Sequence, residues 1–112
     1  MPDKFTSSRE VLIQNDAFDD AAKFYESVLG LPVSHRSDTM IGFETGSFCL
    51  YVEKGPSYGP VFEFYVADLV LTKKKLVAAG CHIENDDPAV PRCYVRDPFG
   101  LIFNLAERRP AP

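Results

Sequence analysis

Six side chains in this sequence are best placed to do chemistry. They are two carboxylates, Glu10 and Glu63, two amides, Gln14 and Asn104, and two phenols, Tyr65 and Tyr94. Each sits in a short apolar run beside bulky residues: Glu10-Val-Leu-Ile-Gln14, Val61-Phe-Glu63-Phe-Tyr65-Val, Cys93-Tyr94-Val and Ile102-Phe-Asn104-Leu. A strand sends successive side chains to opposite faces, so this alternation puts the polar groups on one face and apolar ones on the other. A carboxylate among apolar neighbours can hold a cation or exchange a proton, an amide can both donate and accept, and a phenol adds a ring face to a hydroxyl. Such a set suits a medium-sized, partly apolar ligand with polar or cationic groups. Glu10 and Glu63 could also form a general acid–base pair. Nothing in the spacing brings those two together, so binding is the reading carried forward.

The rest of the composition narrows the class. A chain of 112 residues holds one domain, expected over 1–112. Its net charge of −4, with no basic stripe, argues against a nucleic-acid partner, because phosphate binding needs clustered Lys and Arg. Lys73-Lys74-Lys75 falls in an expected helix and reads as a solvated face. Cys49, Cys81 and Cys93 are odd in number and far apart, with no C-x-x-C, which speaks against a disulfide framework or a zinc knuckle. With no apolar run long enough to span a bilayer and no charged-then-apolar leader, the expected setting is the cytoplasm, without a membrane partner.

Periodicity supplies the elements that must position these groups. Glu10–Gln14 reads as a strand, Asp19 as a helix N-cap and Asp19–Leu29 as a helix stopped by Gly30. Strands are expected at Leu31–Arg36, Met40–Glu44 and Phe48–Glu53, and a Gly/Pro linker at 54–60. The order then returns: a strand at Val61–Val66, an N-cap at Asp68, a helix at Leu69–Ala79 ended by Gly80, and strands at His82–Glu84, Cys93–Arg96 and Leu101–Leu105. Gly30 matches Gly80, Gly46 matches Gly100, and Glu53 and Glu107 fall at the same offset. An internal repeat of about fifty residues results, so the fold class is α+β, with two tandem βαβββ modules at about 9–53 and 61–107.

Three stretches, FDDAAKFYESVLGLPV, FYVADL and VRDPFGLIFNL, give the chain a resemblance to a known family. Over most of residues 9–107 it resembles the vicinal oxygen chelate superfamily, which includes glyoxalase I, bleomycin-resistance proteins and extradiol dioxygenases. The resemblance implies paired modules whose curved sheets form a cleft, with helices outside. It implies a homodimer whose clefts are built from both subunits. The cleft then either holds a divalent metal through side chains on the first and last strands of each module, or simply holds a small-molecule ligand.

Carried onto this sequence, the four metal positions read Glu10, Leu50, Val61 and Asn104. A divalent ion exchanges water for several hard or borderline donors at about 2.0–2.2 Å, and two aliphatic side chains and an amide cannot supply them. His35 and His82 each follow a helix and read as structural or exposed. The expectation is therefore no cofactor and no metal. Strand parity sends Glu10, Leu12 and Gln14, then Val61, Glu63 and Tyr65, then Ile102 and Asn104 into the cleft, with Arg92, Tyr94 and Arg96 as a rim. Phe62, Phe64 and Val66 are expected to pack on the helices. The function expected is a binding protein of the bleomycin-resistance type, sequestering a partly apolar ligand with polar or cationic groups. The alternative is a metal-dependent lyase, isomerase or dioxygenase.

Overall fold

The computed structural model describes residues 4–90 and 92–108, so the expected span of 1–112 reaches beyond the described residues. The elements run β1 Thr6–Asn15, α1 Phe18–Lys23, β2 Val33–Arg36, β3 Met40–Glu44, β4 Cys49–Lys54, β5 Tyr58–Val66, α2 Leu69–Ala78, β6 His82–Asp87, β7 Arg92–Arg96 and β8 Ile102–Glu107. Between α1 and β2 the helix continues as a π-helical turn, Phe24–Val28. The class is α+β and the order βαβββ occurs twice, as the repeat in the sequence implied. By contacts the described chain divides into one unit of residues 9–61 and another of 62–108 joined by 4–8.

In the first unit the strands neighbour one another in the order β2-β3-β4-β1. β1 and β4 are parallel, with Leu12 opposite Tyr51, and the other pairs are antiparallel. Phe18 and Ala22 of α1 bury against Ile41, Phe43 and Val52, with Ile13 and Leu50 packed around them. The expected cap at Asp19 is not the one formed. Asn15 Oδ1 accepts the Ala17 N–H at 2.8 Å, a side chain turning the backbone two residues ahead. Asp19 and Asp20 instead occupy the first turn of α1, where negative charge suits the helix dipole.

In the second unit the order is β5-β8-β7-β6, with β5 and β8 parallel and Glu63 opposite Asn104. α2 begins at the expected cap: Asp68 Oδ1 accepts the Leu71 N–H at 3.0 Å, and Glu107 accepts that of Leu69 at 2.8 Å. Leu69 and Leu76 pack on a core of Val66, Cys93, Val95, Phe103 and Leu105. Phe5 joins this core, its ring 6.0 Å from that of Phe64.

The Gly/Pro segment read as a linker is partly strand, since Tyr58, Gly59 and Pro60 open β5. Gly59 lies so close to β1 that an added Cβ would stand 2.8 Å from the Leu12 carbonyl oxygen, and its φ is +101°. Glycine in this segment permits contact between backbones, where the composition suggested a flexible spacer.

Candidate functional site

The strand face opposite α2 holds a cluster of interacting polar groups. Val66, Phe103 and Leu105 point into the α2 core, so Glu63 and Asn104 face the other way. Asn104 is engaged at both ends of its amide. Its Oδ1 accepts the backbone N–H of Cys93 on β7 at 2.8 Å, and its Nδ2 donates to Glu63 Oε2 on β5 at 3.0 Å. A backbone N–H can only donate, so the amide oxygen must face Cys93 and the nitrogen must face the carboxylate. One side chain thus joins three strands. Nearby, Arg108 lies over the Tyr65 ring at 5.0 Å and Arg92 over the Tyr94 ring at 4.9 Å. Arg96 pairs with Glu84 at 2.7 Å.

The corresponding face of the first unit is set by the β1–β4 pairing: Glu10 opposite Cys49, Leu12 opposite Tyr51, and Gln14 opposite Glu53. Gln14 donates to Glu53. The Tyr51 ring lies across Gly42, where a Cβ would meet Tyr51 Cε1 at 2.8 Å, and the His35 ring stands 6.4 Å away. Burial, and then the negative charge of Glu10, raise the Tyr51 phenol above its ordinary value. Both histidines are exposed.

Several sequence expectations are corrected here. Leu50 is not on this face: it packs against the α1 core beside Val52. The glycine match misplaced it by one residue. Two residues, Ser47 and Phe48, separate Gly46 from β4, whereas Leu101 alone separates Gly100 from β8. Matching by core-facing residues instead aligns Val52 with Leu105 and Leu50 with Phe103, so the counterpart of Asn104 is Tyr51. The signal was present in the alternation of Cys-Leu-Tyr-Val-Glu, whose two aliphatic residues mark the core face. Val61 and Ile102, expected to line an open surface, are only 3% and 8% exposed, and Tyr94 only 5%. Phe62, expected to pack on a helix, is 40% exposed.

A metal ion finds a poor donor set. Among the described residues no three His, Cys, Asp or Glu side chains form a group that could hold one. With Tyr51 in place of Leu50, the four positions offer one carboxylate, one phenol, a buried aliphatic and an amide whose oxygen is already in use. That set does not fit a divalent ion, which needs several free anionic or imidazole donors. A separate groove of about 560 Å³ opens beside α1 over Phe18, Ala22 and Ile41, and none of the expected site residues lines it.

Residues 9–105 match the family model described as the Glyoxalase/Bleomycin resistance protein/Dioxygenase superfamily. The chain belongs to this superfamily. Similar solved structures include a hypothetical protein from Bacillus halodurans C-125, 14% identical with a TM-score of 0.65, covering 97% of this chain and 98% of that one. Another is the Mn(II)-bound glyoxalase from Novosphingobium aromaticivorans, 18% identical with a TM-score of 0.64, covering 95% of this chain and 40% of the other. A third is an extradiol ring-cleaving dioxygenase from B. fuscum, 21% identical with a TM-score of 0.65, covering 97% and 34%. This chain therefore spans well under half of the glyoxalase and dioxygenase chains. At these identities the likeness establishes the superfamily fold. No curated protein matches the chain.

Proposed function

We propose that this superfamily member is a metal-free small-molecule-binding protein that holds a partly apolar ligand without transforming it. The observation that carries the reading is the use of Asn104: the amide is committed to Glu63 and to the Cys93 N–H, so it organises a polar surface and offers no oxygen to an ion. Glu63 and Tyr65 on one unit, with Asn104 holding Glu63, and Glu10, Leu12, Gln14 and Tyr51 on the other, are the residues assigned to recognition. Protein grown with Ni, Zn, Fe and Mn should purify with well below one ion per chain by elemental analysis. Stoichiometric metal would overturn the proposal in favour of a lyase, isomerase or dioxygenase, the reading favoured by the likeness to a Mn(II)-bound glyoxalase and a ring-cleaving dioxygenase.

A homodimer belongs to the same proposal. Val61 and Ile102 are buried within one chain and need no partner to cover them. Apolar side chains exposed elsewhere support the dimer, among them Val28, Leu29, Val70 and Leu71. Sedimentation at micromolar concentration should show a dimer. Three free thiols support a reducing compartment such as the cytoplasm, and no helix among the described residues is long and apolar enough to cross a membrane.

A further inference from the structure

The face built on β5, β7 and β8 carries both signs of charge. Arg108 and Arg92 are each laid over a tyrosine ring. Glu63 is half-buried, and one of its oxygens accepts from Asn104. Its other oxygen, Oε1, has no partner among the described residues. Because the Cys93 N–H fixes which end of the Asn104 amide meets the carboxylate, Asn104 cannot flip to present its own oxygen there. Glu63 is thereby held as an oriented acceptor with one oxygen open, between apolar and aromatic neighbours.

Resting on the binding function proposed above, we infer that this face recognises a cationic nitrogen group joined to an apolar body, such as an amidinium, guanidinium or ammonium on a ring. Glu63 makes the contact and Asn104 positions Glu63. The cation donates to Oε1, and a forked donor can also reach the remaining lone pair of Oε2. Asn104 itself does not touch the ligand. That role differs from the one its strand position suggested, where the amide was to meet the ligand directly.

The test uses benzamidine, its isosteric anion benzoate and neutral benzamide, with the intact protein observed by NMR. Benzamidine should shift the Asn104 side-chain amide and the backbone signals of Glu63 and Tyr65 in a saturable way, and bind at least about tenfold more tightly than benzoate. Glu63→Gln keeps the shape and removes the charge, and it should abolish that preference. In Asn104→Leu the ratio of benzamidine to benzoate affinity should fall, whereas a merely structural role would weaken both probes alike. If Asn104→Leu does not fold, Glu63→Gln decides alone. Benzoate or benzamide binding at these residues as tightly as benzamidine overturns the cation assignment and leaves the small-molecule-binding reading standing. No shift at these residues with any probe also overturns it. Stoichiometric metal, measured separately, is the result that removes the binding reading itself.

Discussion

The amide oxygen of Asn104 accepts the backbone N–H of Cys93 at 2.8 Å, so a side chain ties β8 to β7 at a half-buried point of the sheet. Replacing Asn104 with Leu leaves that N–H and the Glu63 carboxylate without their partner. Removing one partner of a half-buried hydrogen bond costs about 1–3 kcal/mol, and urea unfolding should show a loss in that range. Asn104→Asp should restore the acceptor for Cys93 but set two carboxylates face to face. It should therefore be less stable than the parent protein at pH 7, because two like charges face each other.

The assignment of Tyr51 in place of Leu50 to the polar face predicts opposite outcomes for two neighbouring substitutions. Leu50→Ala removes core contacts with the α1 cluster and should cost about 1–3 kcal/mol, less than a fully buried leucine because Leu50 is only half-buried. Tyr51→Phe deletes a hydroxyl that bonds no described residue, and it should change the unfolding midpoint by under about 0.5 kcal/mol. Thermal or chemical unfolding of the two variants checks the register directly.

Gly59→Ala should destabilise the protein by about 1–3 kcal/mol or more. The new Cβ would stand 2.8 Å from the Leu12 carbonyl oxygen, and a φ of +101° is strained for an L side chain. Both terms act on the backbone, so no rotamer change relieves them. Gly46→Ala is the control for space. No atom lies within 4 Å of its Cβ position, although its φ of +103° carries the same backbone strain, so it should cost less than Gly59→Ala.

Burial raises the Cys93 thiol above its ordinary 9.0, with the Asp86 charge adding to the effect. The unfolded thiol loses its proton first as pH rises, so between the unfolded and folded values the folded state holds more protons. Stability contributed by this group is intact below about pH 9 and falls as pH rises through the folded value. Urea midpoints measured from pH 7 to 10 should decline, and the decline should be shallower in Cys93→Ala. At 2% exposure, Cys93 should also resist iodoacetamide in native buffer and react once the protein is unfolded.

The sequence made the fold readable because its punctuation is repeated: a capped helix, a glycine stop and three short strands, twice. Asp68 capped α2 where expected, and the alternation of Phe103, Asn104 and Leu105 placed the amide on the polar face. What failed were inferences that depended on counting. One extra residue in the turn after Gly46 shifted Leu50 into a position that Tyr51 holds, because a turn absorbs an insertion while a paired strand cannot. The burial of Val61, Ile102 and Tyr94 was hidden for a different reason. Alternation reports which face a side chain takes, and not how deeply that face is covered by other segments. The Asn104–Cys93 bond joins a side chain to a backbone group eleven residues away, and no local pattern encodes it.

Phe5 gives the chain a particular order of completion. It stands near the beginning, yet its aromatic partner is Phe64, and the core it joins is finished by Phe103 and Leu105 close to the other end. The strands β1 to β4 that pack on α1 are contiguous in sequence, while the partners of Phe5 lie on strands far along the chain. Contacts of such long sequence separation carry a high loop-closure entropy and slow the last stage of folding. A chain that stops before β8 therefore leaves Phe5 and Phe64 without the Phe103 and Leu105 side chains that complete their core.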